Sequence, residues 1–232
     1  MSKQQTPKKF INNPKSSVSE FIDGLLYTHP QTLQKLENHN VILSNPIPTS
    51  QVNILSGGGS GHEPSHAGWI GPGMLTGAIL GGIFASPSVA AILAAIRAVT
   101  TTPHNDTTTS SSSSSGGCLL IVKNYTGDRL NFGIACERAN AEGRRTKMVV
   151  VADDCALPRC KGVTGARGVA GTVLVHKVAG AAAGEGKSLE EVAAVAAMAA
   201  GRMGSLGVAL ESVTVPGAEN VNDRVKEGEM EV

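Results

Sequence analysis

Two histidines four residues apart, in His62-Glu63-Pro64-Ser65-His66, directly follow the glycine-rich run Gly57-Gly-Gly-Ser-Gly61. Further along, Lys123-Asn-Tyr-Thr-Gly-Asp128 sets a lysine and a carboxylate on either side of a glycine turn. An imidazole or a carboxylate can take a proton from a hydroxyl, and an ammonium group can hold an oxygen. These residue types fit work on a small polar molecule.

Three familiar patterns compete for the glycine-rich stretch. A Walker loop needs a GK pair followed by Ser or Thr, but here the last glycine of the run precedes His62. A dinucleotide fingerprint needs GxGxxG with an acid about twenty residues on. Counted from Gly57 or Gly59 the third glycine is missing, and no acid occurs between Glu63 and Asp106. HExxH, the zinc hydrolase signature, is complete in its letters. Its chemistry needs a helix, so that residues i and i+4 present both imidazoles to one metal. Pro64 and the glycines ahead of His62 oppose that helix. No metal site is expected. What remains is a bare backbone that approaches a small ligand closely, with His62 just beyond it. The competing view is a plain turn beside a structural histidine, with Asp128 no more than a helix N-cap.

Elements must position these groups. Ser17-Val-Ser-Glu20 and Ser188-Leu-Glu-Glu191 have capping-box spacing and predict helix starts. A third start is predicted at Ser86, with Pro87 in the first helical position. Short apolar runs predict strands at VILS from 41, VNIL from 52, CLLIVK from 118, KMVVVAD from 147 and LGVALESVTV from 206. They lack clean alternation, which indicates strands covered on both faces. The fold class expected is α/β, a mixed or parallel sheet covered by helices on both faces, followed by the start of a second, incomplete α/β subdomain. The glycine run then falls at the carboxyl end of a strand, where such sheets bind ligands. The boundaries expected are 1–203 and 204–232, with residues 101–117, TTPHNDTTTSSSSSSGG, forming a disordered loop.

Composition narrows the class. Twenty basic against nineteen acidic residues and 3% aromatics give no footprint for nucleic acid. Four cysteines without CxxC spacing are read as reduced thiols in a cytoplasmic protein. The stretch Pro64–Ile96 carries no Asp, Glu, Lys or Arg, but its glycine and proline breaks speak against a membrane span.

Taken together, GGGSGHEPSHAGWIGPGML, ASPS from 85, LLIVKNYTGDRLNF, RGVAGTVLVHKVAGAAA and VTVPG closely resemble the substrate-binding domain of dihydroxyacetone kinases. The resemblance runs from about Lys9 to the last residue. It implies a glycine loop that cradles a three-carbon ketose, with Gly59, Ser60, Gly61 and His62 on the contacting positions. It implies that Lys123 and Asp128 contact substrate hydroxyls, and that His62 and Asp128 form the acid/base pair of phosphoryl transfer. Which of the two takes the proton stays open. Glu63 and His66 belong to the same motif and are expected to be structural.

The resemblance also implies that the substrate is dihydroxyacetone, with glyceraldehyde open as a second triose, and that homodimers form through this domain. In the family a histidine in a GIHxEPG motif holds the ketose covalently. That motif follows a stretch like Glu229-Met230-Glu231, so it is expected beyond Val232, and His176, in a helical run, is not promoted in its place. ATP and Mg2+ are expected on a C-terminal domain outside this chain, with no cofactor on the chain itself. Two functions follow: the substrate-binding part of an ATP-dependent kinase, or a ketose-binding fragment without catalysis. Read literally for this chain, the first predicts some phosphorylated product and the second none; no turnover is expected from these residues alone. Residues 206–215 are expected to leave a sheet edge and apolar surface uncovered. Ala166 stands where relatives usually carry the first of two adjacent arginines, which bears on local packing more than on the ketose loop.

Overall fold

The computed structural model describes residues 9–101, 116–156, 165–217 and 225–232. Apart from Thr101, Gly116 and Gly117, the loop expected at 101–117 lies outside the described residues.

Six strands form one sheet: β1 (Leu33–Lys35), β2 (Val41–Ser44), β3 (Asn53–Ser60), β4 (Gly77–Ile83), β5 (Cys118–Lys123) and β6 (Thr146–Val151). Their order is β1-β2-β4-β3-β5-β6. The β1–β2 and β2–β4 pairs are antiparallel, whereas β4, β3, β5 and β6 run parallel. Among the described residues five α-helices, α1 (Ser17–Thr28), α2 (Val89–Val99), α3 (Thr126–Ala141), α4 (Thr172–Gly184) and α5 (Leu189–Gly201), and a short 3-10 turn at Ala67–Trp69 complete the fold. This is the mixed α/β sheet expected from the apolar runs.

Side chains in a strand alternate between faces, and each face finds its own helices. Leu55, Leu120 and Val122 pack with Ile92, Ile96 and Phe132 from α2 and α3. Their neighbours Ile54, Leu119 and Ile121 pack with Val175 and Val192 from α4 and α5. α1 covers Ile42 and Ala78 with Ile22. The register Ile42–Ala78–Ser56–Ile121 puts α1 on the same face as α4 and α5. Because both faces are covered, β5 is buried from Cys118 to Val122, which explains a run without alternation. Each such Leu or Ile contributes about 1.5–3 kcal/mol by leaving water.

One contact binds α4 tightly. A Cβ on Gly180 would lie 2.5 Å from Gly73 O and Met74 N, so the helix seats backbone to backbone against the turn that follows the histidine motif. Only glycine permits that approach.

Several expectations are corrected. The capping box at Ser188 is present, with Ser188 Oγ accepting from Glu191 N and the Glu191 carboxylate accepting from Ser188 N at 2.9 Å. The first helix, however, takes Ser16 as its N-cap residue, and Ser16 Oγ donates to the Glu20 carboxylate at 2.5 Å. α2 is capped by Ser88, which accepts from Ala91 N at 3.2 Å, rather than by Ser86. A side chain that caps usually sits on extended backbone, as Ser88 does at φ −70° and ψ 151°, leaving Pro87 ahead of the cap.

β3 does not stop before the glycines but continues through Gly57–Ser60, because β4 goes on pairing with it there, joined at Gly57 by β5. β4, rich in glycine, was not anticipated. The run at 206–215 is not a strand. Its β pairing among the described residues is the single bridge between Ala209 and Glu231, each N–H donating to the other's carbonyl at 2.9 Å. Leu206, Val208, Leu210 and Val213 are exposed there. No helix among the described residues is long and apolar enough to cross a membrane. Cys118, Cys136 and Cys155 are unpaired, and Cys160 lies outside the described residues.

Candidate functional site

The chain leaves β3 toward β4 and leaves β5 toward β6, in opposite directions. Connections that part in this way open a crevice at the carboxyl ends of the two strands. A cavity of about 190 Å3 lies there, lined by Gly58, Gly59, His62, His66, Phe84, Ser86, Lys123, Tyr125 and Asp128.

Lys123 reaches it as the last residue of β5, beside Gly58, since Gly57 pairs with Val122. Asp128 reaches it from the first turn of α3. It is not an N-cap, because Tyr125 holds that position without a side-chain cap. A carboxylate in a first turn is favoured by the helix dipole. The floor of the cavity is backbone. A methyl built on Gly58 would lie 3.6 Å from Asp128 Oδ2 and 3.7 Å from His66 Nε2. Gly59 is bare for another reason, since its Cβ would come within 2.7 Å of Ala85 N.

The residues expected from sequence divide in two. Gly59, His62, Lys123 and Asp128 line this cavity together. Ser60 and Gly61 line an adjoining depression of about 330 Å3, with Phe84 as the wall between. Ser60 Oγ donates to Gly81 O at 2.8 Å, and Gly61 N donates to the Glu63 carboxylate at 2.9 Å, so both groups already have partners within the fold. Residues 61–66 form turns and not the helix that HExxH chemistry requires. Sequence reasoning missed the cavity roles of His66, Ser86, Phe84 and Tyr125. Ser86 could have been found by noticing that Ser88 is an equally good cap, which frees Ser86 for other work.

The electrostatics favour neutral imidazoles beside a lysine and an aspartate that feel each other's charge. Burial pushes the Asp128 carboxyl up, opposed by a hydrogen bond from Ser86 and by the charge of Lys123. Burial likewise pushes the Lys123 ammonium down, opposed by the charges of Asp128 and Asp153. His62 stands edge-on to Phe84, with ring centres 5.2 Å apart. Its pKa is lowered by burial and then by Lys123, against the pull of Glu63. His66 is held well below the usual histidine range by burial, then by His176, Lys123 and His62. His176, in α4, is fully buried, and neither ring nitrogen has a hydrogen-bond partner. Burial, with Lys123 second, brings its pKa to about 3.

Such a site can do one kind of chemistry well. It offers Lys123 as a donor to an oxygen, Asp128 and the imidazoles as acceptors for hydroxyl protons, and a glycine floor that lets a small molecule reach them.

Comparison with known proteins adds the lineage. The sequence model of the Dak1 domain matches residues 23–232. The chain is 51% identical over 213 residues to the triokinase/FMN cyclase of Mus musculus, an alignment covering 91% of this chain and 35% of that protein. It is 42% identical over 209 residues to the dihydroxyacetone-binding subunit DhaK of a PTS-dependent dihydroxyacetone kinase of Listeria innocua, covering 90% and 60%. The crystal structure of the dihydroxyacetone kinase of C. freundii in complex with AMP-PNP and Mg2+ superposes with a TM-score of 0.85 at 44% identity, covering 97% of this chain and 40% of that one. The chain therefore spans between about a third and 60% of the length of each.

Proposed function

The chain belongs to the Dak1 domain family, and from that premise we propose that it is the ketose-binding part of a dihydroxyacetone kinase, which phosphorylates dihydroxyacetone with ATP. The observation that carries this reading is the convergence of Lys123, Asp128 and His62 on one small cavity between the carboxyl ends of β3 and β5.

On this reading the triose lies over Gly58 and Gly59. Lys123 donates to one of its oxygens, and Asp128 or His62 accepts the proton of the hydroxyl that is to be phosphorylated. As that proton leaves, the oxygen's electron pair forms the new bond to phosphorus, and the bond to the donor's leaving oxygen breaks. Such transfer depends mostly on positioning and charge, and of the two groups it is the Asp128 carboxylate that faces the glycine floor, 3.6 Å from a methyl position on Gly58. Asp128 is therefore assigned the base, and His62 the orientation of the hydroxyl.

The phosphoryl donor supplies the group transferred. The cavity, at about 190 Å3 and with Asp128 as its one carboxylate, fits a triose and does not fit a magnesium nucleotide. ATP and Mg2+ are accordingly assigned to another part of the longer protein, and residues 204–232 to the start of a second unit. The exposed Leu206, Val208 and Leu210 support that assignment. Unpaired cysteines support a cytoplasmic setting.

Titrating the chain with dihydroxyacetone, followed by NMR of the glycine-floor amides, tests the reading. Saturable shifts at Gly58, Gly59 and Asp128 are expected. A chain whose amides ignore the ketose at millimolar concentration overturns it.

A further inference from the structure

Ser56 Oγ donates to the Ile121 carbonyl at 2.6 Å and lies 3.2 Å from His66 Nδ1. A hydroxyl carries one hydrogen. Two oxygens 2.6 Å apart need that hydrogen between them, so Ser56 has only lone pairs to offer the imidazole. His66 Nδ1 must then be the donor, and a neutral ring protonated at Nδ1 carries a lone pair at Nε2. The tautomer is fixed from beneath, by a serine whose own hydrogen is committed to β5.

Several neighbours keep this ring uncharged. His66 is 5% exposed. The ring of His176 stands behind it at 5.5 Å between centroids, tilted by 56°. The ammonium of Lys123 acts on it from the cavity side and opposes a second positive charge there, as would His62 were it protonated.

The free lone pair is aimed at the site. Nε2 lies 3.7 Å from the position of a methyl on Gly58, and Asp128 Oδ2 lies 3.6 Å from the same position. Two acceptors of different character thus flank one point over the glycine floor. A polyol placed there has several hydroxyl hydrogens to satisfy, more than one carboxylate serves.

We propose that His66 is a substrate-binding residue whose Nε2 accepts a hydrogen bond from a hydroxyl of the bound triose, with Ser56 as the positioning residue that holds the required tautomer. The proposal rests on the ketose-binding reading above and adds to it a residue that the sequence marks only as structural.

Long-range 1H–15N spectra of the 15N-labelled chain test it directly. The His66 ring is expected to show a protonated Nδ1 and an unprotonated Nε2, and dihydroxyacetone is expected to move the Nε2 resonance and leave Nδ1 in place. Substitution provides a second readout. His66→Gln keeps an oxygen near the Nε2 position, whereas His66→Asn reaches only toward Ser56. The Kd for dihydroxyacetone is expected to rise about tenfold in H66N and to stay within about threefold in H66Q, as for the loss and retention of one hydrogen bond. Should H66N fail to fold, the spectra of the unsubstituted chain decide. A protonated Nε2, or an Nε2 that stays put while other cavity resonances shift, overturns this proposal and leaves ketose binding standing. If no cavity resonance responds to dihydroxyacetone, the functional reading fails and takes this one with it.

Discussion

A methyl group on Gly58 would stand 3.6 Å from Asp128 Oδ2, so the carboxylate in the first turn of α3 looks directly onto the bare backbone of β3. That distance is ordinary van der Waals contact. Gly58→Ala is therefore expected to fold with an unchanged Tm and to lose dihydroxyacetone binding, because the methyl occupies the ligand's place. Gly59→Ala is expected to do the reverse. Its Cβ would meet Ala85 N at 2.7 Å, and overpacking of this kind costs about 1–3 kcal/mol. Thermal melts and ketose titrations of the two variants check the contrast; equal behaviour in both assays would refute it.

Asp128→Asn keeps the shape of the side chain and removes its charge. A hydrogen bond to a charged acceptor is worth about 1.5–3 kcal/mol, so ketose affinity is expected to fall about tenfold to a hundredfold. Stability is expected to hold or rise. Burial raises the carboxyl's pKa, and Oδ1 is buried without a partner, so the charged form is less favoured in the fold than in water. A clear drop in Tm would show instead that the carboxylate supports the fold.

His176 predicts a pH dependence of stability. Its pKa is about 3 in the fold against 6.5 for the free side chain. The unfolded chain therefore binds the extra proton first, and stability is full above about pH 6.5 and declines as the pH falls toward about 3, with a slope near 1.4 kcal/mol per unit. His66 acts in the same direction. His176→Leu is expected to flatten this slope in urea unfolding series. At pH near 7 it is expected to be neutral or stabilising by about 1–3 kcal/mol, since two unpaired buried nitrogens are removed. An unchanged acid slope would contradict the assignment.

Ser188→Ala removes the hydroxyl that accepts from Glu191 N at 3.3 Å. The expected cost is about 1 kcal/mol, read as a lower urea midpoint with an unchanged m-value. Ketose binding should not change, because α5 does not line the cavity.

Legibility in the sequence followed side-chain bulk. Cys118–Lys123 and Val41–Ser44 could be read to the residue because continuous apolar side chains announce a strand buried on both faces. Gly57–Ser60 and Gly77–Ile83 could not, since glycine carries no pattern and these strands are held by pairing with neighbours distant in sequence. Position shifts of one or two residues arose where serines cluster. Ser16 and Ser17, like Ser86 and Ser88, are the same letter, and which of each pair starts the helix is set by backbone geometry that the letters do not encode. The run from Leu206 has strand composition, yet composition makes no strand without a partner to pair with. At the site, Lys123, Asp128 and His62 stood out as chemistry flanked by glycine. His66 did not, because its meaning lies in Ser56 and Ile121, two residues that a sequence gives no reason to connect.

The close seat of α4 on the turn at Gly73 and Met74 ties remote residues to the site. His176 rides on that helix, one turn before Gly180, and its ring backs His66. A side chain larger than hydrogen at position 180 would lever the helix outward and withdraw the wall behind His66. Variation there would register as altered sugar affinity, although the altered atom never meets the sugar.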